Sequence, residues 1–195
     1  MKILVTVTEV AEADDEFEIS GTSIADQYLT YDLNEWDDYA IEEAVQLSEE
    51  HDDIEVVTVT FGAERVEETI RTALAKGADR AIRVWDDSFE GKTVLDPSQK
   101  AELLAGVVEE EDPDLVLSGV QSGDVAIGAT GVALAENIGY EWAAVVNQLD
   151  LDRDSGVASI HRELEGGVEE LTDVELPAVL TIQTGINEPR YASLR

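Results

Sequence analysis

Five short apolar runs rich in β-branched residues, Ile3–Val7, Ile54–Phe61, Ala81–Trp85, Leu115–Leu117 and Ala143–Val146, recur along this chain. Between them the apolar residues fall at helical spacing. Ala40, Ile41, Ala44, Val45 and Leu47 form one stripe, and Val66, Ile70, Ala73 and Leu74 a second. A third stripe (Leu103, Leu104, Val107, Val108) follows Asp96-Pro97, an N-cap with proline at the first helical position. The fourth runs from about Asp124 through Ile127, Gly131, Leu134 and Ala135 to Ile138, with Gly139 as its C-cap. Runs of this length are buried strands. Strand and helix in strict alternation require right-handed βαβ crossovers, so the class is α/β: a mostly parallel sheet with helices on both faces. The spacing predicts a parallel core of five strands bearing four helices.

The last quarter departs from this rhythm. Val157–Leu164 and Val168–Val174 flank Glu165-Gly166-Gly167, a hairpin turn, and a further strand, Ala178–Gln183, follows Pro177. Residues 184–195 have no apolar periodicity. The expectation is one domain over 1–183 and an extended C-terminal arm over 184–195.

Charge narrows the partners. There are 45 Asp plus Glu against 12 Lys plus Arg, a formal net charge of −33 spread along the whole sequence. A phosphate-backbone partner is disfavoured by like-charge repulsion, so no nucleic acid is expected, nor direct membrane insertion, since no apolar run nears about 18 residues. The magnitude far exceeds the roughly 2–8 suited to a small soluble domain. A carboxylate-rich, lysine-poor shell suits molar salt, where the Debye length is about 3 Å, and points to a halophilic, cytoplasmic protein. Cysteine is absent, which excludes disulfides, thiolate metal sites and thiol nucleophiles.

Catalytic constellations are missing. His51 and His161 stand alone, and there is neither a GxSxG elbow nor a GxxxxGK[ST] loop. The informative stretch is Gly119-Val120-Gln121-Ser122-Gly123-Asp124, which leaves the fourth parallel strand and opens a helix. Open α/β sheets bind ligands at that end, where helix N-termini offer free N–H donors. An ordinary strand-to-helix turn reads the same way. Asn34-Glu35-Trp36-Asp37-Asp38-Tyr39 is either an N-cap with core aromatics or a segment closing over a base. Phe61-Gly62 ends the second strand on the same rim.

Four longer segments carry a family resemblance: LNEWDDYAIEEA, EETIRTALAKGADRAIRV from Glu67 to Val84, HRELEGGVEEL, and PAVLTIQTGINEPRYASLR. In these the chain resembles the β subunit of electron transfer flavoproteins, as a haloarchaeal-type member. The resemblance implies a Rossmann-like α/β/α domain that pairs with a homologous α subunit, the pair holding a redox-active FAD. It implies electron flow from dehydrogenases to a quinone reductase or similar acceptor, by a carrier subunit and not an enzyme. The β subunit of that family also holds AMP, or a second FAD. By position the nucleotide-binding residues are Thr6, Asn34, Glu35, Trp36, Asp37, Phe61 and Gly62, and the Gly119–Gly131 loop with Gln121, Gly123, Asp124 and Thr130. The loop departs from the family pattern where Ala126 and Ala129 replace an acid and a glutamine. Docking of partner dehydrogenases falls on Arg190, Tyr191 and Leu194. The alternative is a stand-alone adenine-nucleotide-binding module of stress-protein type.

Overall fold

In the computed structural model, which describes residues 1–89 and 95–193, six apolar runs meet in one parallel sheet. The first strand, β1 (Lys2–Thr6), leads into an excursion made of β2 (Glu9–Ala13), β3 (Ile19–Ser20), β4 (Ser23–Ile24) and β5 (Leu29–Leu33). Then come α1 (Glu35–Glu50), β6 (Glu55–Phe61), α2 (Glu67–Ala75), β7 (Arg80–Val84), α3 (Pro97–Glu111), β8 (Leu115–Gly119) and α4 (Thr130–Ile138). The chain closes with β9 (Glu141–Val146), β10 (Gln148–Asp152), β11 (Val157–Leu164), β12 (Val168–Glu175) and β13 (Ala178–Ile182). The sheet order is β7-β6-β1-β8-β13-β9. Val5 lies opposite Thr58 on one side and Leu117 on the other.

The period-2 alternation of β1 separates two cores. Ile3 and Val5 face Ala40, Ile41 and Ala44 of α1, together with Leu151, Ala158 and Ile160 of the β10-β11-β12 sheet. Leu4 faces Leu104 and Val108 of α3 and Leu134 of α4 on the other side. The result is the three-layer α/β arrangement expected from the alternation, with the antiparallel hairpin β11–β12 in place.

Three expectations change. The parallel sheet has six strands, because β13, buried at all five positions, inserts between β8 and β9. Helix α4 starts at Thr130, not near Asp124, since Ala126 (φ 52°) and Gly128 (φ 65°) adopt left-handed backbone that no α-helix admits. The excursion over residues 9–33 adds four strands that the expected elements lack, because each is only two to five residues long. It is held by Arg65 of the single helical turn just before α2, whose Nε lies 2.6 Å from Glu9 and whose guanidinium stacks 3.6 Å from the Tyr31 ring centre. Beyond β13 the described residues, 183–193, form neither helix nor strand and lie against α1 and α2 as a strap.

Candidate functional site

The chain order reverses between β1 and β8. From β1 it winds outward to β6 and β7, then returns to build β8 on the opposite flank. At the carboxyl ends of these strands lies a narrow cleft of about 70 Å³.

Its floor is braced by the first turn of α1. Asp37 is buried, with Oδ2 accepting from Thr8 N–H at 2.8 Å and Oδ1 from Gly119 N–H at 3.0 Å. One carboxylate thus joins the ends of β1 and β8. Burial pushes its pKa up from 3.8 to about 6, against hydrogen bonds from Thr8, Asn34 and Gly119 that lower it. Gly119 is glycine for lack of room: a Cβ there would stand 2.5 Å from Asp37 Oδ1 and 2.9 Å from Asp37 N. Asn34, also buried, is not a side-chain N-cap. Its amide donates to Gln121 O at 2.9 Å and its Oδ1 accepts from Gly123 N–H at 3.1 Å, clasping the β8–α4 loop. At the far side α4 begins without a side-chain cap, so its first amides remain available to an anion.

The structure therefore brings Thr6, Asn34, Asp37, Phe61, Gly119, Gln121 and Thr130 to one cleft. Other expected residues lie elsewhere. Glu35, Trp36 and Gly123 line a separate depression on the far side of the Asn34–Gly123 clasp. The Trp36 indole N–H is held 3.0 Å from Gln183 Oε1, which keeps the ring from closing over the cleft. Gly62 and Asp124 border an adjoining groove beside Trp85 and Phe89. At Gly62 a Cβ would meet Val66 Cγ1 at 2.3 Å, and at Gly131 a Cβ would meet Thr181 Cγ2 at 2.7 Å, so both glycines serve close packing. Sequence reasoning missed Thr8, Ser118 and Lys100, the last being the one Lys or Arg among the described lining residues. Lys100 was findable: in a βαβ fold the first turn of α3, marked by Asp96-Pro97, must sit at the carboxyl end of the sheet.

The strap places the docking candidates differently. Arg190 pairs with Glu42 and Glu49 of α1, Tyr191 projects into solvent, and Leu194 lies outside the described residues. Among the described residues no cluster of three His, Cys, Asp or Glu could hold a metal, and no helix is long and apolar enough to cross a membrane.

A parallel, doubly wound sheet with a braced crevice at its switch point defines the class of α/β domains that take ligands at that position. The electron transfer flavoprotein domain matches residues 21–194. The chain is 48% identical to the electron transfer flavoprotein subunit beta of Methylophilus methylotrophus over 198 aligned positions, covering all of this chain and 74% of that protein. It is 36% identical to the human subunit beta, covering all of this chain and 75% of that one, and 34% identical to that of Syntrophomonas wolfei, again with 74% covered. The chain belongs to the electron transfer flavoprotein family and is of the subunit beta type.

Proposed function

We propose that this chain is the β subunit of a heterodimeric electron transfer flavoprotein, working with an α subunit in the cytoplasm of a halophilic host. The observation that carries the reading is its kinship, over the whole chain, with proteins named as subunit beta. The FAD shared with the α subunit supplies the redox chemistry, accepting electrons from dehydrogenases and passing them to a quinone reductase or similar acceptor. This chain's residues bind and position. A face for the α subunit is offered by the β10-β11-β12 sheet, where Leu171 is 80% exposed and Val168 56%.

The cleft suits an adenine nucleotide, AMP or the adenine half of a second FAD. The uncapped start of α4, the Thr130 hydroxyl and Lys100 suit an anionic ligand, while Asp37 has both oxygens engaged by backbone N–H groups. Dehydrogenase docking falls to Tyr191 and Leu194.

Co-expression with an electron transfer flavoprotein α subunit, followed by visible spectroscopy and mass spectrometry of released ligands, tests the assignment. A yellow heterodimer releasing FAD and an adenine nucleotide is the expected result. A colourless homodimer carrying ATP would overturn it in favour of a stand-alone nucleotide-binding module.

A further inference from the structure

The strap is tied down on both sides of Tyr191, at Asn187, Arg190 and Ser193. The Arg190 guanidinium forks between two carboxylates one face of α1 presents seven residues apart: Nε and an Nη donate to Glu42 at 2.7 and 3.1 Å, and both Nη atoms reach Glu49 at 2.7 and 2.9 Å. Its backbone is held too. Arg190 N–H donates to Glu42 at 3.1 Å, and its carbonyl accepts from Lys76 Nζ at 2.6 Å, the same ammonium that pairs with Asp38. Upstream, Asn187 donates to Tyr39 O and Glu43; downstream, Ser193 N–H donates to Ala75 O at 3.1 Å. Between these ties Tyr191 is 96% exposed.

We infer that Arg190 is a positioning residue, whose fork to Glu42 and Glu49 fixes the strap so that Tyr191 is presented to a partner protein in a single pose. The inference rests on the docking reading of the strap. Its guanidinium is spent within the chain, so Arg190 does not itself meet the partner. Burial raises the Glu42 carboxyl, but its bonds from Arg190 and Gln46 outweigh this and hold it below the usual range; Arg190 likewise lowers Glu49. Both acids therefore stay charged and the fork stays made. A strap ordered before encounter loses less conformational freedom on docking, which is how preorganisation raises affinity. Lysine is a compact point charge on a flexible stem and cannot fork two carboxylates in this way.

The test uses the α/β heterodimer with Arg190→Ala, Arg190→Lys, Glu49→Gln and Tyr191→Ala. Two readouts apply: hydrogen exchange of the peptide spanning residues 187–193, and flavin reduction by a purified dehydrogenase as a function of dehydrogenase concentration. Arg190→Ala should speed exchange at the Ser193 amide about tenfold and raise the half-saturating concentration several-fold, with the limiting rate and FAD content unchanged. Arg190→Lys and Glu49→Gln should fall between that variant and wild type. Tyr191→Ala should weaken docking while exchange stays at the wild-type rate. If Arg190 variants weaken docking with exchange unaltered, the guanidinium contacts the partner directly and the inference is wrong. It is also wrong if exchange accelerates and the half-saturating concentration does not move while Tyr191→Ala does move it. If Tyr191→Ala changes nothing, the docking reading itself falls.

Discussion

Asp37 makes stability depend on pH in a direction opposite to that of a salt-bridged acid. Its carboxyl titrates at about 6 in the folded chain against 3.8 as the ordinary value, because burial outweighs the hydrogen bonds from Thr8, Asn34 and Gly119. Below 3.8 both folded and unfolded chains hold the proton. Between 3.8 and 6 the folded chain alone holds it, so stability falls as pH rises through this window, and above 6 the loss is complete. A shift of about 2 units corresponds to roughly 3 kcal/mol, of which about 2 kcal/mol falls between pH 4.5 and 7.5. The other acids titrate too, so the measurement must be a difference. Asp37→Asn removes the titration and leaves the rest. Its amide also sets a donor against Thr8 or Gly119 N–H, but that penalty does not vary with pH. Urea unfolding of both proteins at constant high salt should show wild type losing about 2 kcal/mol relative to Asp37→Asn from pH 4.5 to 7.5. A constant difference, or one that grows in favour of wild type, would refute the argument that burial dominates this carboxylate.

Gly119→Ala should destabilise by about 3 kcal/mol, lowering Tm by roughly 6–12 °C, because the new Cβ overlaps Asp37 and Trp36 and breaks the brace; a shift under about 2 °C in a thermal melt would contradict this. Gly123→Ala should be neutral and retain any bound nucleotide, since the nearest atom to its Cβ is 4.0 Å away on Trp36 and on the side away from the cleft. In contrast, Gly131→Ala should unfold at lower urea concentration, its Cβ colliding with Thr181. Raising potassium chloride from low to molar concentration should raise Tm, because 45 acids face 12 bases and screening weakens their repulsion; a flat or falling curve would assign the acidic surface another purpose.

What the sequence by itself determined was set by local periodicity. Ile3–Val7 and Leu115–Leu117 had no reading other than buried strands, and Asp96-Pro97 fixed the start of α3, where Asp96 and Gln99 form a reciprocal cap. Alternation of such runs left one fold class, and the glycine-bearing stretch after β8 fell at the carboxyl end of the sheet wherever its neighbours lay. Contacts between residues distant in sequence were decided by the tertiary structure. Asp37 and Gly119 are 82 positions apart, and nothing local tells a bracing carboxylate from a solvated one in a chain with 45 acids. Trp36 looked like a lid because an aromatic beside Asn34 satisfies either role; the bond to Gln183, from the far end of the chain, turns it aside. Arg190 read as a docking residue until α1 supplied Glu42 and Glu49 from 148 and 141 residues away. Periodicity reports which face of an element is buried, whereas the partner of a polar group depends on which elements the fold sets side by side.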